Sequence, residues 1–479
     1  MWNKLLLAAA VLTISSTHSP ESGPLKPCRV PGIDEQLLCG KLSVFENRQT
    51  RTGRKIDLNV VVLPALDQQH KEAPLFDLAG GPGIASTSAA LDYATALRDY
   101  RRHRDVVLVD QRGTGESNPL HCKNNDPHYL REMYTIAYVD DCRRTLERVA
   151  DLTQYTTPIA MDDLDDVRAW LGYDRINLIS LSYGTRAALV YLRQHPEHVR
   201  SVILMGLAPT NARLPMYHTR NAQRAIELLF AECAADAACD KEYPRVGEEF
   251  SQLLKTLGNQ PLKLKYQAWE TAKQIDVEIR RDEFAEALRT QLYTPTGARR
   301  VPFIIHQAAL GSFKPFLKLV IPKDPSTAAP AFIADGMYLS VTCAEDVPFI
   351  NTAAAKRMNR GTFFGNYRVE QQQRACAHWR RGRAPPGYEK PVESTAPVLI
   401  IAGNMDPVTS PDWAEEVAAH LPNSKLWLIR HHAHVPVGLT NLECFDRVLM
   451  KFLDDPAAKN IDTSCGDQML PPPFFVEQH

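Results

Sequence analysis

The chain has 479 residues, of which 44% are hydrophobic and 23% charged, and its 55 Lys and Arg nearly cancel its 56 Asp and Glu. Ordinary globular composition excludes wholesale disorder, collagen-like and coiled-coil architectures. The formal charge of −1 leaves no global basic footprint for nucleic acid, and no apolar run approaches the roughly 18 residues of a membrane span.

The predicted elements begin with a segment outside the fold. Lys4 precedes the apolar run Leu5 to Ile14, and the small polar residues Ser15, Ser16 and Thr17 follow. This is the pattern of a secretory signal peptide over residues 1–19, too short for an uncleaved anchor. No stable membrane insertion is expected after its removal. Leu37 to Phe45 and Ile56 to Leu63 read as an antiparallel strand pair. Pro74 to Ala79 is a short strand ending in Gly80-Gly81-Pro82-Gly83, and Asp105 to Val109 is a buried-type strand running into Asp110-Gln111-Arg112-Gly113-Thr114-Gly115. A helix over Ala160 to Leu171, a strand over Ile176 to Leu181, a helix over Gly184 to Gln194 and a strand over Val199 to Met205 come next. Val398 to Ala402, Trp413 to Leu421, Lys425 to Ile429 and Leu442 to Leu453 then repeat strand, helix, strand, helix. Such alternation predicts an α/β fold, a mostly parallel sheet flanked by helices.

Between Thr210 and about Glu393 the alternation fails. Helical patterns dominate (Ala222 to Ala235, Arg281 to Gln291, Val301 to Gln307), and only Met337 to Thr342 reads as a strand. We expect a sheet core over 20–212 and 391–479, with a mainly helical lid over 213–390.

The ten cysteines fit export. They fall in sequential couples, which in an oxidising compartment suggests the disulfides Cys28–Cys39, Cys122–Cys142, Cys233–Cys239, Cys343–Cys376 and Cys444–Cys465. No Cys-x-x-Cys pair supports a zinc site. No metal and no cofactor is expected.

Ser180-Leu181-Ser182-Tyr183-Gly184 lies at a strand-to-helix turn, where a nucleophilic Ser182 would stand exposed at the sheet edge. An ordinary turn would carry the same string. Chain order decides: Asp406 and then His434 come after successive later strands, which is the Ser, Asp, His order of an α/β-hydrolase triad. Asp412 is the weaker acid, because Pro411-Asp412 reads as a helix start. His431 is the alternative base, and His431, His432 and His434 together could hold a metal. Gly81 and the backbone N–H of Tyr183 would form the oxyanion hole. A phosphate loop is excluded, since no Gly-Lys-Ser/Thr comes after Gly83, and Gly113-Thr114-Gly115 lacks the rest of a dinucleotide fingerprint.

Ala79-Gly80-Gly81-Pro82-Gly83, Asp110 to Ser117, Ser182-Tyr183-Gly184-Thr185 and Asp406-Pro407-Val408-Thr409 together resemble the prolyl/tripeptidyl aminopeptidase family of α/β-hydrolases, in its exported bacterial form with several disulfides. The resemblance spans about Leu37 to Leu453, with Ser180 and Ala79 standing where the family has Gly and often His. It implies a periplasmic or secreted serine exopeptidase acting on peptides with a free N-terminus. It also implies that Glu345 and Asp346 bind the substrate's amino end. An esterase or lactonase with the same triad is the alternative, and a hydrolase-fold binding protein with a dead site is a third reading.

Overall fold

In a computed structural model the described residues are 24–123, 132–267, 274–321, 333–458 and 460–477. The segment read as a signal peptide lies outside them. The sheet contains β1 (Lys26–Cys28), β2 (Leu37–Phe45), β3 (Lys55–Leu63), β4 (Leu75–Leu78), β5 (Val106–Val109), β6 (Ile176–Leu181) and β7 (Val199–Met205). A separate hairpin, β8 (Leu262–Gln267) and β9 (Gln274–Ile279), stands in the insertion, and β10 (Val398–Gly403) and β11 (Ser424–Ile429) complete the sheet. Its order is β1-β2-β3-β5-β4-β6-β7-β10-β11. The pairs from β1 to β5 are antiparallel and all later pairs are parallel.

Both faces of the parallel strands are covered, which is why they read as continuous apolar runs. In β10, Val398, Ile400 and Ala402 join one apolar cluster while Leu399 and Ile401 join the opposite one. The first cluster takes in α1 (Thr157–Trp170) and α2 (Tyr183–Gln194) through Ala160, Leu164, Ala188 and Leu192.

The insertion has its own core. It holds α3 (Leu214–Ala235), α4 (Val246–Asn259), the hairpin, α5 (Arg281–Gln291), α6 (Val301–Ala309), α7 (Asp335–Glu345) and α8 (Tyr367–His378). Leu229, Phe250, Leu254, Phe284, Leu288 and Ile305 meet in its centre. The chain then returns to the sheet with β10, α9 (Pro411–Ala418), β11 and α10 (Leu442–Asp454). Met337 to Thr342 is therefore not a strand. It lies inside α7, and every one of its residues is buried, so the apolar run that suggested a sheet comes from a helix enclosed on all sides.

The turn after β5 is a structural clamp. Arg112, fully buried, forks onto Asp163 of α1 at 2.6 and 2.9 Å and donates to the carbonyls of Glu46 and Gln154. Asp110 accepts from Asn59, Thr87 and the Glu116 N–H. The described cysteines form the disulfides Cys28–Cys39, Cys122–Cys142, Cys233–Cys239, Cys343–Cys376 and Cys444–Cys465, with Cα atoms 5.1–5.9 Å apart.

The start of α2 presses hard on β4. A Cβ at Gly184 would lie 2.0 Å from the Leu78 carbonyl oxygen, whereas one at Gly247 in α4 would meet nothing closer than Phe230 at 3.6 Å. Gly184→Ala is expected to lose at least the roughly 1–3 kcal/mol of an overpacked site, and Gly247→Ala to be neutral or to gain about 0.5–1 kcal/mol in a helix. Urea unfolding of the two variants beside wild type checks both signs.

Candidate active site

Ser182 sits between β6 and α2 with φ +58° and ψ −125°. This backbone region costs a non-glycine residue about 1–3 kcal/mol and persists only where surroundings enforce it. Here the Ser182 N–H donates to the Met205 carbonyl at 2.9 Å, and α2 is pinned through Gly184. Ser180 fills the position where a glycine would be usual; its buried hydroxyl donates to the Ile203 carbonyl at 2.7 Å.

The glycine loop after β4 lies against the serine. A Cβ at Gly80 would be 3.2 Å from Ser182 Cβ and 3.7 Å from its Oγ. Gly81 has φ +111° and Gly83 φ +108°, backbone that glycine alone adopts readily. The Gly83 carbonyl accepts from Ala334 N–H at 2.9 Å, just before α7, so the loop is held from the lid side. Tyr183 is the first residue of α2, where N–H groups lack helical partners. Its hydroxyl is buried 2.8 Å from Thr157 Oγ1.

Asp406 and His434 are brought together by the ends of β10 and β11. Asp406 is fully buried, and its Oδ2 lies 2.8 Å from His434 Nδ1. Val408 and Thr409 donate their N–H groups to Oδ1 at 2.7 and 2.8 Å, and Thr409 Oγ1 donates to Oδ2 at 2.6 Å. Burial pushes this carboxyl's pKa upward, but the His434 ring and the hydrogen bonds from His434 and Thr409 outweigh it and hold the acid below its ordinary range. A permanently ionised acceptor on Nδ1 fixes the ring so that Nε2 is the nitrogen left for proton transfer. The ring also packs on Gly206, where a Cβ would be 3.1 Å from Cε1. Gly206 adjoins Met205, to which Ser182 is bonded, so serine and histidine flank the same turn after β7.

The neighbouring histidines are placed elsewhere. His431 Nδ1 is 3.1 Å from Glu232. His432 is buried against Phe445 with Nδ1 on the Ala433 carbonyl, and burial first of all lowers its pKa to about 4. The three rings do not converge on one point, and Asp412 is an exposed residue in the first turn of α9.

Glu345 and Asp346 have other partners, which corrects the amino-end role expected of them. Glu345 is 1% exposed and accepts from Thr157 N–H at 2.6 Å, Thr157 Oγ1 at 2.7 Å and the Tyr388 hydroxyl at 2.5 Å. Asp346 is fully buried, forked onto Arg186 of α2 at 3.0 and 2.9 Å, and accepts from Leu214 N–H. Glu345 thus joins α7 to the start of α1, and Asp346 joins the end of α7 to α2. The residues that sequence reasoning missed come mostly from the lid: the Tyr293 carbonyl accepts from the His434 and Val435 N–H groups, and its ring meets His434 edge-on at 5.1 Å.

Known proteins are similar to this chain in sequence. The model of the α/β hydrolase fold matches residues 76–293, and that of TAP-like proteins matches residues 361–465. A tripeptidyl aminopeptidase of Streptomyces coelicolor is 22% identical over 92% of this chain and 85% of its own length. The chain is an α/β-hydrolase, and it is similar to tripeptidyl and prolyl aminopeptidases. The serine protease Hip1 of Mycobacterium tuberculosis is 29% identical over 44% of this chain, a match that spans 45% of that protein. A proline iminopeptidase of Xylella fastidiosa is 30% identical over 28% of this chain and 32% of its own. These relatives support a serine peptidase of the α/β-hydrolase type.

Asp346→Ala would strand the fully buried Arg186 without its counter-charge. Breaking such a pair costs about 3–5 kcal/mol. A denaturant midpoint unchanged from wild type would contradict the structural role assigned to this acid.

Proposed function

We propose that the protein is an exported serine aminopeptidase, prolyl- or tripeptidyl-type, acting near the free N-terminus of peptides through an acyl-enzyme. The observation that carries the reading is the Asp406–His434 pair at 2.8 Å beside a strained Ser182 at a sheet edge roofed by a lid. In the mechanism, His434 Nε2 takes the Ser182 hydroxyl proton as Oγ attacks the scissile carbonyl. The N–H groups of Gly81 and Tyr183 stabilise the oxyanion. The C–N bond then breaks as His434 returns the proton to the leaving amine, and water, activated in the same way, releases the acyl product. Five disulfides support an oxidising compartment.

An aminopeptidase needs a negative charge for the substrate ammonium; a carboxylate of ordinary pKa supplies it above about pH 5, while the substrate α-amino group loses its proton near pH 8.

Two outcomes are expected. Ser182→Ala should lower kcat by up to about a millionfold and abolish labelling by a fluorophosphonate, with Ser180→Ala far milder; labelling of a different serine would refute the assignment. On matched chromogenic amides of one to three residues, free amines should be cleaved about tenfold or more faster than acetylated ones, the strength of a single charge-assisted contact. That ratio should be flat from about pH 5 to 7 and fall as pH rises through about 8. Equal rates on free and blocked amides would favour the esterase reading.

A further inference from the structure

The lid wall above His434 holds a guanidinium with too few partners. Tyr293, whose ring meets His434, accepts through its hydroxyl from Arg289 Nη1 at 2.9 Å. Arg289 forks onto Glu286 at 3.0 and 2.6 Å, so that carboxylate already has a close cation. Arg368 of α8 stands next in line, with Nε 4.0 Å from Glu286 Oε1. It is 3% exposed. Its Nη1 donates to the thioether of Met133 at 2.8 Å and its Nη2 to the Tyr338 hydroxyl at 3.3 Å, while Nε has no hydrogen-bond partner among the described residues. A guanidinium carries five N–H donors and a charge it does not lose. A sulfur and a phenol neutralise neither.

His218 of α3 belongs to the same wall. It is buried with Nδ1 unpartnered among the described residues, and burial first, then the charges of Arg289 and Arg368, disfavour its protonation against the opposing charge of Glu286. The printed contacts run from Arg368 through Glu286 and Arg289 to Tyr293, whose ring meets His434, and so tie this guanidinium to the His434 side of the insertion. Arg368 shares Glu286 with Arg289 and has no carboxylate forked onto it among the described residues, and an incoming carboxylate would supply the forked pair that arginine geometry favours.

We propose that Arg368 receives a carboxylate of the substrate and gives the enzyme a preference for acidic peptides. The inference deepens the peptidase reading and rests on it. The carboxylate can come from two sources, an Asp or Glu side chain or the C-terminus of a short peptide, and the assay separates them.

Matched chromogenic amides with Glu or Gln in the acyl portion form one arm, and tripeptides with a free or amidated C-terminus form the other. Wild type is expected to favour the carboxylate in one arm by tenfold or more in kcat/KM, mainly through KM. In Arg368→Met that ratio should fall close to one, and Arg368→Lys should retain part of it. A structural role alone would change both members of a pair equally. A second measurement on wild type covers a variant that fails to fold: glutarate should protect Ser182 from fluorophosphonate better than glutaramide does. Indifference of wild type in both arms, survival of the preference in Arg368→Met, or equal protection by the two compounds would each overturn the proposal. If no amide is cut at all, the peptidase reading fails separately, and esters of glutarate against those of glutaramate then test Arg368 in the same way.

Discussion

The contact between the first turn of α2 and the carbonyl of Leu78 constrains everything around the site. With room for no side chain at Gly184, helix and strand meet backbone to backbone. The chain between β6 and α2 must then turn within Ser182 itself, and its left-handed φ results from that lack of space. The same closeness places Gly80 against the serine and Gly206 against the histidine ring. Geometry of this kind is set by main-chain packing, which relaxes less than side-chain packing does.

Around this turn, buried arginines are used in two ways. Arg112 with Asp163 and Arg186 with Asp346 are fully enclosed forked pairs that tie α1 to the turn after β5 and the insertion to α2. Such pairs fix geometry more than they add stability. Arg289 is matched to Glu286 in the same manner. Arg368, offered a sulfur and a phenol, departs from the pattern, and the departure lies on the lid side of His434 rather than in the scaffold.

How legible this was in the sequence varied with the range of the forces involved. The strands of the parallel sheet announced themselves as short apolar runs, and the order in which Ser182, Asp406 and His434 succeed strand ends pointed to one site because parallel strands deliver their ends to one edge. The strand read over Ile56 to Leu63 and the helix over Arg281 to Gln291 were legible from local pattern alone. The β8–β9 hairpin was missed although Leu262-Lys263-Leu264-Lys265-Tyr266 alternates in the manner of a strand. Met337 to Thr342 misled because enclosure in the lid removes the polar face by which a helix is recognised. Glu345 and Asp346 misled for a different reason. An acidic dipeptide does not reveal its counter-charge, and Arg186 lies 160 positions away. Tyr293 carried no signal, since its contribution to His434 is a carbonyl and a ring edge supplied by tertiary packing.

The five disulfides close rings spanning from 6 to 33 positions, each within the lid or within the sheet portion. None of them crosses from one to the other. Covalently, then, the molecule is a string of small loops whose two halves are joined by plain chain alone. A peptide-bond cut inside Cys343–Cys376 would leave both new ends tethered. A cut between Gly206 and Leu214, with another between His378 and Val398, would leave the lid attached by noncovalent contacts only, among them the Arg186–Asp346 pair, and a denaturant without reductant would then separate it as a fragment.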